Sequence, residues 1–130
     1  MKKNFLRFIV AAILMVTTGT VASAADVISP TLRNKNISID ELGVNHVKIS
    51  WDNAVDNETA VQNITYSVFY RLMDLGEPDK WTQAYIKQKH TCCTLYGLPA
   101  MKSIEIKVVA YDAAGNSATY NLASARVSGD

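Results

Sequence analysis

The chain has 130 residues, of which 48% are hydrophobic and 19% charged. That is the size and balance of a single globular domain. Its formal charge is only +1 and no basic stripe is in view, so binding of nucleic acid is not expected.

Lys2, Lys3 and Arg7 open the chain, Phe8 to Val16 is a short run dominated by apolar residues, and Ala22-Ser23-Ala24 is an A-x-A cleavage site. This is the order of a signal peptide of bacterial type, residues 1–24, cut after Ala24. The apolar run falls short of the roughly 20 residues that span a bilayer. No cysteine follows the cut to carry a lipid, so no stable membrane anchor is expected after cleavage. The protein is expected to be exported, to the periplasm or to the extracellular space. The leader carries three basic residues and no acidic one, which leaves ten basic and twelve acidic residues and a formal charge of −2. The remaining 106 residues bury one core and leave no room for a second, catalytic domain.

Beyond the leader, residues 25–35 read as a flexible N-terminal segment that includes Pro30. Short runs alternating apolar and polar residues then follow one another, separated by turn residues, with no convincing helical stretch; this is the pattern of an all-β sandwich or barrel. Ile37, Ile39 and Leu42 mark a first strand, and Val47, Ile49 and Trp51 a second. After a polar stretch from Asp52 to Asn63, Tyr66, Val68 and Tyr70 form one face of a third. Trp81 to Ile86 is a short strand behind the turn Gly76-Glu77-Pro78-Asp79, and Cys93 and Leu95 share a face of the next, which ends at Gly97-Leu98-Pro99. Ile104, Ile106, Val108 and Ala110 give the longest alternation; Gly115-Asn116 is a turn and Ala118 to Val127 the last strand. Seven strands in about 100 residues is the count of an immunoglobulin-like sandwich.

Val47-Lys48-Ile49-Ser50-Trp51-Asp52-Asn53-Ala54 resembles the second strand of fibronectin type III domains, which places a tryptophan in the core. Ile64 to Arg71 resembles the third strand, and Leu95, Gly97-Leu98 and Ile106 to Asn116 resemble the strand, turn and closing hairpin. The resemblance covers nearly all of the mature chain, and it implies a seven-stranded fibronectin type III-like β-sandwich over residues 36–128. One departure stands out: Ile104 occupies the position where the family usually has a tyrosine whose hydroxyl ties a corner together. That corner is left to packing or to a neighbour such as Tyr96.

No set of residues forms a recognisable catalytic apparatus, and no cofactor or metal site is expected. Asp52, Asp56 and Glu58 share one loop and could bind calcium, which takes six to eight oxygens, but their spacing matches no dedicated calcium loop, and Asp56-Asn57 is typical of turns held by side-chain oxygens; the sequence leaves open whether the loop from Asp52 to Asn63 binds a cation. The sequons at Asn36, Asn57 and Asn63 are read as chance matches of a permissive pattern in a chain with a bacterial leader. His90-Thr91-Cys92-Cys93 has metal-like residue types, yet His46, the other histidine, is distant in sequence and the set is too small. Adjacent cysteines resist pairing, because neighbouring Cα atoms lie about 3.8 Å apart while disulfides prefer roughly 4.4–6.8 Å. Strand parity points Cys93 inward with Leu95 and leaves Cys92 as an exposed thiol, open to an intermolecular disulfide and so to a disulfide-linked homodimer.

Trp51, Tyr66 and Tyr70 are in phase with the core. Phe69, Val109 and Tyr111 fall on the opposite phase, beside Arg71 and Lys107, and gather on the outer face of one sheet in the resembled fold. A contiguous exposed group of this kind marks a contact surface for a protein or a glycan. The expected function is that of an exported, non-enzymatic binding, adhesion or accessory module acting through a sheet face or its loops; the alternative is a structural or assembly subunit that pairs through a sheet edge or Cys92.

Overall fold

The computed structural model describes residues 25–73 and 80–129. The leader and the turn at Gly76 to Asp79 lie outside the described residues. The chain folds into strands β1 (Thr31–Leu32), β2 (Ser38–Gly43), β3 (His46–Ser50), β4 (Ala54–Val55), β5 (Thr65–Leu72), β6 (Thr82–Gln88), β7 (Cys92–Leu95), β8 (Ser103–Tyr111), β9 (Ser117–Thr119) and β10 (Ala123–Arg126). A 3-10 turn at Val61–Asn63 precedes β5. Among the described residues no helix is long and apolar enough to cross a membrane.

One sheet has the order β2-β3-β7 and the other β10-β8-β5-β6, with β9 also paired to β8. All pairings within these sheets are antiparallel. The seven strands read from sequence are present as β2, β3, β5, β6, β7, β8 and a last strand split into β9 and β10. The split falls where Tyr120 turns into the core, its amide bonded to the Val108 carbonyl at 3.0 Å and its hydroxyl donating to the Asp52 carbonyl at 2.6 Å. The remaining two strands, β1 and β4, are a two-residue pair outside both sheets. Through β1 and a bond from the Asn121 amide to the Lys35 carbonyl, 2.8 Å long, the segment 25–35 is tied to the domain.

Parity builds the core. Val47, Ile49 and Leu95 point inward from one sheet; Tyr66, Val68, Ile104, Ile106, Val108 and Ala110 meet them from the other. Trp51, 5% exposed, closes one end, with its ring centroid 5.7 Å from that of Tyr66, which in turn lies 6.5 Å from that of Tyr120. Such tilted aromatic contacts add to the area buried. Tyr70 is half-buried at the margin of this core.

Candidate functional site

The outer face of the β8-β5-β6 sheet follows from register. On β5, Thr65, Ser67, Phe69 and Arg71 stand opposite Tyr111, Val109, Lys107 and Glu105 of β8, so four outward pairs lie side by side along two central strands. Arg71 donates from Nε to Glu105 Oε1 at 2.8 Å and from its terminal nitrogen at 2.5 Å, a charge-assisted two-point contact.

The aromatic rings of this face are covered by cations. Lys107 Nζ lies 4.8 Å from the Phe69 ring centroid and 4.5 Å from that of Trp81, and the Arg71 guanidinium carbon lies 4.4 Å from the Trp81 centroid. Lys87 Nζ lies 4.8 Å from the Tyr111 centroid. Its position depends on an irregularity of β6, whose register against β5 shifts between Tyr66 and Phe69. There Lys87 takes φ 44° and its amide donates to the buried Ser67 hydroxyl at 3.0 Å, which carries the lysine side chain across the sheet. Each cation–ring contact contributes about 0.5–1 kcal/mol at an exposed site, so the ladder holds three long cationic side chains in defined places.

Phe69, Arg71, Lys107 and Tyr111 are thus brought together as the strand parity required. Val109 is not available for contact: at 8% exposed it lies under its neighbours, because β8 is flanked on both sides there, by Ser67 of β5 and Thr119 of β9. Trp81, Lys87 and Glu105 belong to the face although the sequence pattern assigned them no role. Trp81 precedes a strand without strict alternation, and Lys87 sits at a register shift that alternation cannot reveal.

Elsewhere, a cleft of about 330 Å³ opens at the margin between β6 and β7, lined by Tyr70, Thr82, Tyr85, Thr94 and Tyr96 among others. Its lining offers hydroxyls and no carboxylate, imidazole or thiol, and the Tyr85 hydroxyl already donates to the Thr94 carbonyl at 2.5 Å. The loop acids do not act as a set: Asp52 is exposed and accepts from Asn34 at 3.2 Å, and Glu58 is exposed. Asp56 instead lies with Asp26 and Asp112, one carboxylate oxygen from each within 4.8 Å of the others. Cys92 is exposed and Cys93 half-buried against the core. Burial pushes the Cys93 thiol up to about 12, with the neighbouring Cys92 adding to the shift.

Two antiparallel sheets in this order, packed face to face around an aromatic end, make an immunoglobulin-like β-sandwich. Among solved structures, the third fibronectin III domain of human KIAA0343 protein is similar, with a TM-score of 0.64 at 13% identity over 88% of this chain and 95% of that one. The fibronectin type-III domain of human fibronectin type III domain containing protein 3 gives 0.59 at 16% identity over 86% and 94%. The twitchin kinase region from C. elegans gives 0.61 at 22% identity over 78% of this chain, which spans 17% of that one. The fold is therefore that of a fibronectin type III domain, as the sequence resemblance implied. No family model and no curated protein matches the sequence.

Proposed function

We propose that the protein is an exported, non-enzymatic binding module that engages a protein partner through the outer face of the β8-β5-β6 sheet. The observation that carries this reading is the ladder of Arg71, Trp81, Lys107 and Phe69, continued by Lys87 and Tyr111. Aromatic residues and arginine are the residue types enriched at protein interfaces. Here they are held in place before contact, which lowers the entropy lost on binding. The face is a sheet surface rather than a cleft, which suits a broad protein contact better than a small ligand. A glycan partner would find ring faces already occupied by ammonium and guanidinium groups.

The non-enzymatic reading rests on the fold and on the fibronectin type III domains that share it. Export rests on the leader. A pull-down from source cells and medium with the mature protein tests the proposal: a partner retained by wild type and lost on Trp81→Ala and Tyr111→Ala supports it. A partner retained equally by all three moves the contact elsewhere, and recovery of the protein with residues 1–24 intact from the exported fraction removes the cleavage after Ala24.

A further inference from the structure

Asp26, Asp56 and Asp112 come from three distant places in the chain: the segment before β1, the loop after β4, and the turn after β8. Each is positioned by its own local bonds. Asp56 Oδ2 accepts from the Glu58 and Thr59 amides at 3.1 and 3.0 Å. Asp26 Oδ1 accepts from the Ile28 amide at 3.1 Å. Asp112, 5% exposed, holds the β8–β9 turn: Oδ1 accepts from the Ala114 and Asn116 amides and Oδ2 from the Asn116 side chain at 2.9 Å. The same Asn116 amide group donates to the Asp26 carbonyl at 2.9 Å and fastens the N-terminal segment against the turn.

When those bonds are made, two oxygens remain without a partner. Asp26 Oδ2 and Asp56 Oδ1 accept no hydrogen bond, and each exposes less than 1 Å². A carboxylate oxygen shut away from both water and donors is costly. Three such groups with oxygens within 4.8 Å of one another also repel. No ion pair among the described residues reaches any of the three, the two pairs being His46–Glu41 and Arg71–Glu105. What the arrangement lacks is a positive charge among the three carboxylates.

We infer that Asp26, Asp56 and Asp112 form a calcium site. The donors are all oxygens, as a hard cation requires, and calcium accepts six to eight of them in irregular geometry, the balance coming from water. Asp26 and Asp56 are only half-buried as residues, so water has access to complete the shell. Magnesium is a poorer match, since it demands near-octahedral geometry and gives up its own water reluctantly. The ion offsets two of the three negative charges and clamps the N-terminal segment to two loops at one end of the sandwich.

Thermal unfolding of the purified protein in EDTA, CaCl2 or MgCl2 tests the site. With an affinity on the order of 10⁻⁴–10⁻³ M, as in extracellular calcium modules, a tenfold excess of calcium is expected to raise Tm by roughly 5 °C or more. Asp26→Asn and Asp56→Asn, which keep the local amide contacts while removing charge, should melt in EDTA no lower than wild type and show no rise with calcium. Asp52→Asn, on the exposed part of the loop, should respond as wild type does. A wild-type Tm indifferent to calcium, a calcium response that persists in both cluster variants, or an equal response to magnesium would each overturn the assignment.

Discussion

Asn45 and Leu98 clasp one another across the end of the β2-β3-β7 sheet: the Leu98 amide donates to the Asn45 carbonyl at 3.0 Å, and Asn45 Nδ2 donates to the Leu98 carbonyl at 2.7 Å. This pair stands where the corner tyrosine of the resembled family is missing. Ile104 fills the tyrosine's place as a fully buried core residue, and Tyr96, the neighbour that sequence suggested for the bond, is 72% exposed with its ring 6.2 Å from His46. Asn45 also sits at φ 66°, a left-handed conformation that asparagine tolerates better than most residues.

Two substitutions separate these roles. Asn45→Gly keeps the backbone conformation and loses one hydrogen bond, at an expected cost of about 1 kcal/mol. Asn45→Ala loses the bond and adds backbone strain of about 1–2 kcal/mol, so it should be the less stable of the two in urea titration. Equal stability of both variants and wild type would show that the corner is held by packing alone.

Trp51 tests the core. Trp51→Ala should cost about 3–5 kcal/mol, a large share of the stability of a domain of this size. Lys48→Ala, exposed on the opposite phase of the same segment, should be nearly silent. Trp51→Phe is expected to be much milder than Trp51→Ala, because it keeps most of the packing and removes an indole N–H that has no partner in the core. Matching midpoints for Trp51→Ala and Lys48→Ala in a denaturant titration would contradict the inward assignment.

The two adjacent thiols should behave differently. The thiolate is the reactive form, and with its ionisation pushed up to about 12 by burial, Cys93 stays protonated throughout the neutral range; alkylation at mild alkaline pH should mark Cys92 alone. Under air, non-reducing gels should show a disulfide-linked dimer for wild type and Cys93→Ser and none for Cys92→Ser. A dimer that survives only in Cys92→Ser would reverse the assignment.

The core was legible in the sequence because strand parity decides it: Val47, Ile49, Trp51, Tyr66, Val68, Ile104, Ile106 and Val108 all alternate, and all are buried. The same parity placed Phe69, Arg71, Lys107 and Tyr111 on one outer face. It failed for Val109, whose exposure depends on what flanks β8 rather than on phase. It could not reach Lys87, which a register shift carries to Tyr111, or the convergence of Asp26 and Asp112 on Asp56, which depends on how three separate loops meet at one end of the sandwich. Asp56 was visible as a turn former, and its structure keeps that role through Oδ2; its second oxygen carries the information that sequence lacked.

The most direct measurement of the interaction surface is the affinity of the pulled-down partner for four proteins: wild type, Trp81→Ala, Tyr111→Ala and the opposite-sheet control Lys48→Ala, each with its melting temperature. Residues that anchor an interface cost about 2 kcal/mol or more when truncated, roughly a thirtyfold loss of affinity. That loss is expected for Trp81→Ala and Tyr111→Ala, beyond the ~0.5–1 kcal/mol of stability that each lost cation–ring contact costs, with Lys48→Ala binding normally. Undiminished binding by both aromatic variants, or a loss that follows their melting temperatures alone, would contradict that expectation.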